Sequence, residues 1–227
     1  MTRRGIVLIV AVVLVAAIAA FLLIFDPFKW GPQPDPPPIY TIAIDAGHGG
    51  SDPGAIGGDV LEKDINLEIV EILRDLINAQ PDMVAVQIRT LDMFIKLEDR
   101  IAQAEEAGAQ IYVTVHVNSY TTEDPTGVET IVDDTREAHG ESWVLAELIQ
   151  HSVVEATGAR DRGTRSQESY LQRTQMPAVS LETGFITNPT ERANLVDPAY
   201  QAKIAQGIVD GLRQFIDWKY PNPAGSE

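Results

Sequence analysis

Ile42-Ala43-Ile44-Asp45-Ala46-Gly47-His48-Gly49-Gly50-Ser51 is the stretch from which the rest of the chain can be interpreted. Its apolar start predicts a strand, which breaks at Asp45 into a glycine-rich loop that carries His48. Glycine on both sides of His48 allows a tight turn and lets another group approach the imidazole ring closely. The loop therefore predicts a ligand site, although from this stretch alone a solvated loop histidine is the alternative.

The same loop does not match the common nucleotide-binding motifs. Asp52 stands where a dinucleotide fingerprint requires its third glycine, and no Gly-Lys-Ser/Thr follows to make a phosphate loop. The formal net charge is −16, from 17 Lys and Arg against 33 Asp and Glu. Since binding phosphates requires a basic surface, this charge argues against nucleic acid as a partner.

The chain of 227 residues contains no cysteine. Disulfides, a cysteine nucleophile and thiolate metal ligands are therefore excluded, and any metal site must be built from histidine and carboxylate. A serine hydrolase is disfavoured because no Gly-x-Ser-x-Gly motif occurs, and the His-Glu-x-x-His motif of helical zinc proteases is absent as well. The length permits one well-buried domain.

The N-terminal region predicts a membrane anchor. Residues 6–25 are uninterrupted apolar sequence, which as a helix would span about 30 Å, the thickness of the hydrocarbon core. Arg3 and Arg4 favour a cytoplasmic location for residues 1–5, which puts everything after residue 25 on the extracytoplasmic, periplasmic or cell-wall side. A cleaved and secreted form is the alternative, because Ala17-Ile18-Ala19 resembles a signal-peptide cleavage site, but the apolar run continues beyond that site.

The remaining sequence divides into a spacer, one domain and a tail. The prolines of residues 26–38 predict an extended stalk, and residues 221–227 predict a disordered tail. Within the domain, at 39–220, strand patterns occupy 40–44, 83–89, 110–115, 127–132 and 178–181, and helical patterns occupy 62–79, 97–107, 141–156 and 198–218. Strands and helices in alternation predict an α/β fold with a largely parallel sheet that helices cover on both faces.

Polar residues stand where several of these elements begin or end. His116 follows an apolar strand as His48 does, and the carboxyl ends of parallel strands gather at one edge of a sheet, so the two histidines can converge. Glu62 begins a helix, where the helix dipole alone also favours an acidic residue. Two histidines with a glutamate make a plausible zinc set that leaves one coordination position open. Glu182, a carboxylate that ends a buried strand, is a candidate general base.

These motifs together resemble the zinc-dependent N-acetylmuramoyl-L-alanine amidases of the type 3 group, which are bacterial cell-wall hydrolases. The resemblance covers about residues 41–216 and rests on ten motifs in one order: DAGHGG (45–50), DPGA (52–55), EKDINL (62–67), RT with Asp92 (89–92), LEDR (97–100), HVNS (116–119), GVET (127–130), DRG (161–163), MPA (176–178) and ETGFITN (182–188). It implies a six-stranded, mostly parallel sheet flanked by helices.

Carried over residue by residue, the resemblance implies His48, Glu62 and His116 as ligands of Zn²⁺ and Glu182 as the catalytic carboxylate. The implied substrate is peptidoglycan, cut at the amide between the lactyl group of N-acetylmuramic acid and L-alanine of the stem peptide. Two alternatives stay open at this point. One is a zinc peptidase or another amidase on the same scaffold. The other is a membrane-tethered peptidoglycan-binding module that has lost turnover, although retention of all four candidate residues argues against it.

The sequence also departs from the family in two places. Some members carry a helix, inserted after the strand that matches 127–132, which blocks the zinc until a partner protein removes it. Here only residues 133–141 lie between that strand and the next helical pattern, which predicts an intrinsically open site. Residues 169–175 follow the family pattern only loosely. The sequence identifies no protein activator. Arg89 and Arg100 are interpreted as partners in structural ion pairs rather than catalytic groups, with binding of stem-peptide carboxylates as the alternative.

Overall fold

The computed structural model describes residues 38–221 of the chain. The predicted cytoplasmic segment at 1–5, the anchor at 6–25, nearly all of the stalk at 26–38 and the tail beyond residue 221 lie outside the described residues and stay predictions. Within residues 38–221, no helix combines the length and the apolar character needed to cross a membrane.

The described part of the chain contains strands and helices in alternation. The strands are β1 (Tyr40–Ala46), β2 (Ile56–Gly57), β3 (Val60–Leu61), β4 (Met83–Gln87), β5 (Ile111–Asn118), β6 (Val128–Asp133), β7 (Asp161–Gln167) and β8 (Ala178–Phe185). The helices are α1 (Glu62–Asn78), α2 (Leu97–Glu106), α3 (Glu141–Thr157), α4 (Pro189–Leu195) and α5 (Pro198–Lys219), with a 3-10 helix at Tyr170–Arg173. All five strands and four helices that the patterns predict are present.

Six strands form one sheet in the order β4-β1-β5-β8-β6-β7. Four of the neighbouring pairs are parallel, and only the pairing of β6 with β8 is antiparallel. The prediction of a single α/β domain with a mostly parallel six-stranded sheet is therefore confirmed. The apolar patterns did not reveal β7, because this edge strand is polar and contains no fully buried residue.

Most of the hydrophobic core lies between the sheet and the helices α1, α3 and α5. The helices α3 and α5 pack closely because α5 has glycine at the contact. A Cβ atom on Gly207 would lie 2.6 Å from Val153 Cα, and one on Gly211 would lie 2.7 Å from Ile149 Cα. On the opposite face of the sheet, α2 and the 3-10 helix cover a smaller cluster that includes Ala43, Tyr112 and Ala178. We call this opposite side the open face.

Two strands are longer than their apolar patterns. The sequence places His116 and Glu182 after strands, whereas the structure places them inside β5 and β8, directly opposite each other in register. The physical reason is that side chains alternate along a strand, so that a polar residue can face the open side while its neighbours fill the core. Because paired residues on adjacent strands share a face, this register brings the two side chains to the same surface.

Candidate metal centre

His48 lies in a strained backbone conformation at the carboxyl end of β1. Its φ is +63°, a left-handed value that is uncommon for a residue with a side chain. The carbonyl oxygen of His48 accepts a hydrogen bond of 2.7 Å from Nη2 of Arg100, which fixes the turn. The surrounding hydrogen bonds therefore hold the imidazole in a position that the local sequence alone does not favour.

Two buried arginines stabilise this loop through hydrogen bonds to its backbone carbonyls. Arg100 forms an ion pair with Asp45 at 2.8 Å and donates to the carbonyls of Ala46 and His48. Arg89 is fully buried and donates to the carbonyls of residues 46, 47, 63 and 91. The prediction of structural ion pairs is thus confirmed for Arg100 and wrong for Arg89, which makes none with the acidic groups of residues 38–221. Backbone carbonyls take the place of a carboxylate around Arg89.

Glu62 is the first residue of α1, and its carboxylate is turned into the protein. Oε2 accepts a hydrogen bond of 2.8 Å from the backbone N–H of Ala55, and Oε1 accepts one of 3.0 Å from that of Val117. The residue is 4% exposed. The carboxylate is therefore held from both sides by rigid backbone donors, which goes beyond the role of a first-turn residue that the helix dipole favours.

The two histidines meet at this carboxylate. His48 Nε2 and His116 Nδ1 each lie 3.1 Å from Glu62 Oε1, and the two rings are 5.0 Å apart at 83°. One ligand atom from each of the three residues lies within 4.8 Å of the others. Gly47 makes the approach possible, because a side chain there would overlap the ring of His116. The convergence expected from the sequence is therefore present.

The charges in this cluster favour a cation. Burial raises the pKa of Glu62, but hydrogen bonds from His116 and His48 outweigh this effect and hold the pKa well below its usual value. Burial likewise disfavours the charged form of His48, yet its contacts with Glu62 and Asp52 raise the pKa of the ring to about 9. A proton therefore remains at His48 near neutral pH, and a metal ion would replace this positive charge beside the carboxylate.

Asp52 supports His48 from the side away from Glu62. Its Oδ2 lies 2.8 Å from His48 Nδ1, while Oδ1 accepts a hydrogen bond from the backbone N–H of Gly54. A ligating histidine typically uses its second nitrogen in this way, which fixes its tautomer and orientation. In the sequence, Asp52 belongs to the DPGA motif, which by itself indicates no role for this carboxylate. Its spacing of four residues from His48 was the available signal.

The donor atoms of this cluster are those that zinc prefers. Two imidazole nitrogens and a carboxylate oxygen converge, and the second nitrogen of His48 is occupied by a carboxylate. Catalytic zinc sites commonly have three such protein ligands and a fourth position that stays open. His48, Glu62 and His116 are thus able to hold a Zn²⁺ ion.

Glu182 lies one strand further along the sheet, opposite His116. Burial raises the pKa of its carboxyl to about 7, with His116 opposing the rise and the charges of Glu62 and Glu129 adding to it. A group with this pKa exchanges a proton readily near neutral pH, as a general acid and base requires. The structure therefore brings all four residues predicted from the sequence to one surface.

A second buried carboxylate, Glu129 on β6, lies opposite Glu182 in the antiparallel pairing. It is 5% exposed and accepts hydrogen bonds from Asn118 Nδ2 at 3.0 Å and from Arg165 Nε at 2.8 Å. Sequence reasoning missed this group, because the contact depends on the register of β6, β7 and β8. His116, Glu182 and Glu129 thus lie on three neighbouring strands of the open face.

A cavity of about 320 Å³ adjoins the histidines on the other side of the cluster. Its apolar wall comes from Phe94, Ile95 and Leu97, and Tyr170 of the 3-10 helix closes another side. The Tyr170 hydroxyl lies 3.3 Å from Asp45 Oδ2, which connects this wall to the buried ion pair of Arg100. The site is therefore flanked by an apolar cavity on one side and by charged groups on the other.

Comparison with known proteins identifies similar chains. Residues 42–214 match the family described as N-acetylmuramoyl-L-alanine amidase, Amidase_3. The chain is 39% identical over 172 residues to the N-acetylmuramoyl-L-alanine amidase LytC of Bacillus subtilis (strain 168), which covers 75% of this chain and 34% of LytC. The chain thus spans about a third of that relative's length.

Two further comparisons cover most of both chains. The uncharacterized protein YqiI of Bacillus subtilis (strain 168) is 39% identical over 178 residues, 78% of this chain and 85% of YqiI. A crystal structure of an N-acetylmuramoyl-L-alanine amidase from Clostridium difficile 630 is similar with a TM-score of 0.76 at 35% identity. That similarity covers 80% of this chain and 98% of the other.

Proposed function

This chain belongs to the N-acetylmuramoyl-L-alanine amidase family, and we propose that it is a zinc-dependent peptidoglycan hydrolase. Its reaction is cleavage of the amide between the lactyl group of N-acetylmuramic acid and L-alanine of the stem peptide. The observation that carries the proposal is the convergence of His48, Glu62 and His116 to within 4.8 Å, one strand away from Glu182. The family match over residues 42–214 supports the substrate class.

We assign the zinc to His48 Nε2, His116 Nδ1 and the carboxylate of Glu62. Zn²⁺ held there would supply Lewis acidity toward the amide carbonyl and activate water for attack. The chain's own contribution is preorganisation: the N–H groups of Ala55 and Val117 fix Glu62, and Asp52 fixes the ring of His48. These contacts are made within the protein, so the ligand set needs little rearrangement to bind the ion.

Glu182 moves the proton. As a carboxylate it accepts the proton of the attacking water, and as a carboxylic acid it delivers that proton to the nitrogen of the departing L-alanine. An amine that leaves without a proton is a poor leaving group, so both halves of this transfer are needed. Without the metal, burial raises the pKa of Glu182 to about 7, so that its neutral and ionised forms are close in free energy near neutral pH.

We also propose that the site is open without the help of a partner. Strand β6 ends at Asp133 and helix α3 begins at Glu141, so that only residues 134–140 connect them. A connection of this length has no room for an inserted helix that reaches the zinc ligands. The chain alone is therefore expected to turn over substrate.

For location, we propose that residues 6–25 anchor the chain in the cytoplasmic membrane with residues 39–220 as the catalytic domain on the extracytoplasmic side. Support comes from the sequence alone, namely the apolar run and the two arginines that precede it. Fractionation of cells with protease added to the outside tests the proposal. A chain that stays in the membrane fraction and loses the domain to protease supports it, and an intact protected domain contradicts it.

The activity is tested with the full-length chain, solubilised in detergent and incubated with purified peptidoglycan. We expect new amino-terminal L-alanine, lost on adding a chelator and restored by Zn²⁺. New termini at another stem residue would instead indicate a zinc peptidase. Binding to peptidoglycan without release, from a folded and zinc-loaded chain, would indicate a binding module.

A further inference from the structure

The segment at 160–165 concentrates positive charge in an acidic chain. Arg160, Arg162 and Arg165 lie within six residues, whereas the whole chain has 17 Lys and Arg against 33 Asp and Glu. Two of the three lie on the edge strand β7, next to the row of carboxylates on the open face. This placement calls for an explanation, because the family activity as described above uses neither residue.

A bulge in β7 turns two of these arginines to the same side. Residues three apart on a regular strand point to opposite faces, yet both side chains reach Glu129. Arg165 Nε lies 2.8 Å from Glu129 Oε2, and Arg162 Nε lies 3.9 Å from Oε1. The register between β6 and β7 shifts by one residue at this point, where Gly163 has a φ of +77°. The extra residue therefore directs both guanidinium groups to the open face.

Arg165 keeps part of its hydrogen-bonding capacity for another molecule. Only its Nε donates to an acceptor within residues 38–221, and the side chain is 45% exposed. A guanidinium presents five N–H donors, so the two terminal nitrogens of Arg165 remain available to a ligand. Glu129, which is buried and also held by Asn118, fixes the orientation of the guanidinium. The arrangement is suited to a planar anion such as a carboxylate.

The position of Glu182 determines which part of the substrate passes over this region. The nitrogen that receives a proton from Glu182 must lie within hydrogen-bond reach of that carboxylate. In the sheet order, β8 lies beyond β5 on the side away from β1, and β6 and β7 follow it. In the mechanism proposed above, the peptide that leaves with this nitrogen would extend over β6 toward β7. The lactyl and sugar part would then extend the other way, toward the cavity lined by Phe94 and Leu97.

We propose that Arg165, assisted by Arg162, binds a free carboxylate of the stem peptide and so selects stems by their charge. The proposal rests on the proposed function, since it uses the direction in which L-alanine leaves. Neighbouring strands lie about 4.8 Å apart and an extended residue spans about 3.5 Å, so the carboxylate belongs one or two residues beyond L-alanine. Near the carboxylates of Glu182 and of the buried Glu129, an anionic stem would be repelled without these arginines.

Binding to an inactive chain tests the subsite separately from turnover. The full-length zinc-loaded Glu182→Gln chain is titrated calorimetrically with two muramoyl peptides, one with free stem carboxylates and one with the same carboxylates amidated. We expect the free form to bind about tenfold more tightly, as a charge-assisted hydrogen bond allows. Adding Arg165→Gln should reduce the ratio of the two dissociation constants to about twofold or less. Arg162→Gln should reduce this ratio less, and Arg165→Lys should retain part of the preference.

Arg160→Gln is the matched control, because it removes the same charge from the same segment at a residue whose side chain has no contact with Glu129 in the described structure. It should leave the ratio unchanged. The ratio is the decisive quantity, because a purely structural role of Arg165 would weaken both peptides equally. A ratio that survives loss of Arg162 and Arg165 together, or that falls equally with Arg160→Gln, overturns the proposal.

The unmodified chain separates this proposal from the proposed function. Release of L-alanine from both muramoyl peptides with equal kcat/KM would leave the amidase in place and reject the subsite. Release from neither would reject the amidase, while the calorimetric ratio would still decide whether the arginines bind a carboxylate. Release that favours the free form, with the preference lost in Arg165→Gln, supports both.

Discussion

Two neighbouring groups of side chains on this surface are held in place differently. One is the ligand cluster, which consists of His48, Glu62 and His116, and the other is the charged row, which consists of Glu182, Glu129 and Arg165. In the ligand cluster, backbone donors fix the carboxylate of Glu62. Arg100, which is 2% exposed, holds the backbone of His48, and Asp52 fixes its ring. In the charged row, strand register sets the positions, and the outermost group, Arg165, is 45% exposed. The ligand cluster is therefore rigid, whereas the charged row has hydrogen-bond donors that remain available to a substrate.

Because the two regions are held differently, mutations in them should affect different properties, namely folding stability and substrate selectivity. A buried ion pair that loses one partner leaves an uncompensated charge, whereas an exposed pair contributes little to folding. Changes beneath the ligand cluster should therefore act first on the folded state and on metal affinity. Changes at the outer end of the charged row should act on the substrate.

The largest effect is expected beneath His48. Arg100→Met should lower the free energy of unfolding by about 3–5 kcal/mol, because it leaves the buried Asp45 carboxylate without its ion pair and removes donors to two loop carbonyls. Arg165→Gln should cost less than Arg100→Met, because Arg165 is itself 45% exposed and Glu129 keeps its contacts with Asn118 and Arg162. Urea unfolding of the zinc-free chains measures both values.

A double variant sharpens this prediction. Arg100→Met combined with Asp45→Asn should cost less than the two single changes added together, because the unpaired charge is then absent. Equal losses for Arg100→Met and Arg165→Gln would mean that the two regions do not differ in the way described.

A smaller effect is expected at Asp52, which contacts His48 only through the ring nitrogen that faces away from Glu62. Asp52→Asn should weaken zinc binding by about 10–100-fold, because the ring loses the carboxylate that fixes its orientation. Competition with a chromogenic chelator measures the affinity. Asp59→Asn, on the exposed turn between β2 and β3, is the control and should bind zinc as the original chain does. An unchanged affinity in Asp52→Asn would remove Asp52 from the support of the ligand set.

The smallest effect concerns the titration of Glu182. In the zinc-free chain its carboxyl should titrate near pH 7, protonated below and ionised above, because burial and the charge of Glu129 both favour the neutral form. Glu129→Gln should lower this pKa, and adding zinc, a nearby cation, should lower it as well. Carbon NMR of the carboxyl group, assigned with Glu182→Gln, follows the titration. A midpoint near 4.5 in the zinc-free chain would contradict the buried environment.

The sequence predicted the ligand cluster and most of the fold because their signals are local. Strands β1, β4, β5, β6 and β8 each carry closely spaced apolar residues, mostly Val, Ile or Ala, and glycines mark the turn at His48. Both histidines and Glu182 stand out as polar residues at apolar strands. Their meeting follows from parallel strands that share one edge.

The charged row escaped prediction because its contacts are not local. Glu129, Glu182 and Arg165 come from three strands, and only the antiparallel pairing of β6 and the bulge at Gly163 bring them together. The edge strand β7 has no apolar pattern, and neither β2 nor β3 exceeds two residues. The role of Arg89 was also missed, because a buried guanidinium satisfied by carbonyls leaves no partner charge to find in the sequence.

The division of roles between Glu182 and the zinc ligands is tested most directly by comparing Glu182→Gln with the original chain for zinc content and for L-alanine release from peptidoglycan. Glu155→Gln is the exposed control. We expect one zinc per chain in all three and a rate that falls by about 10²–10⁴-fold only in Glu182→Gln, because that residue moves the proton without holding the metal. A Glu182→Gln chain that loses its zinc, or that keeps the original rate with zinc bound, would contradict this division of roles.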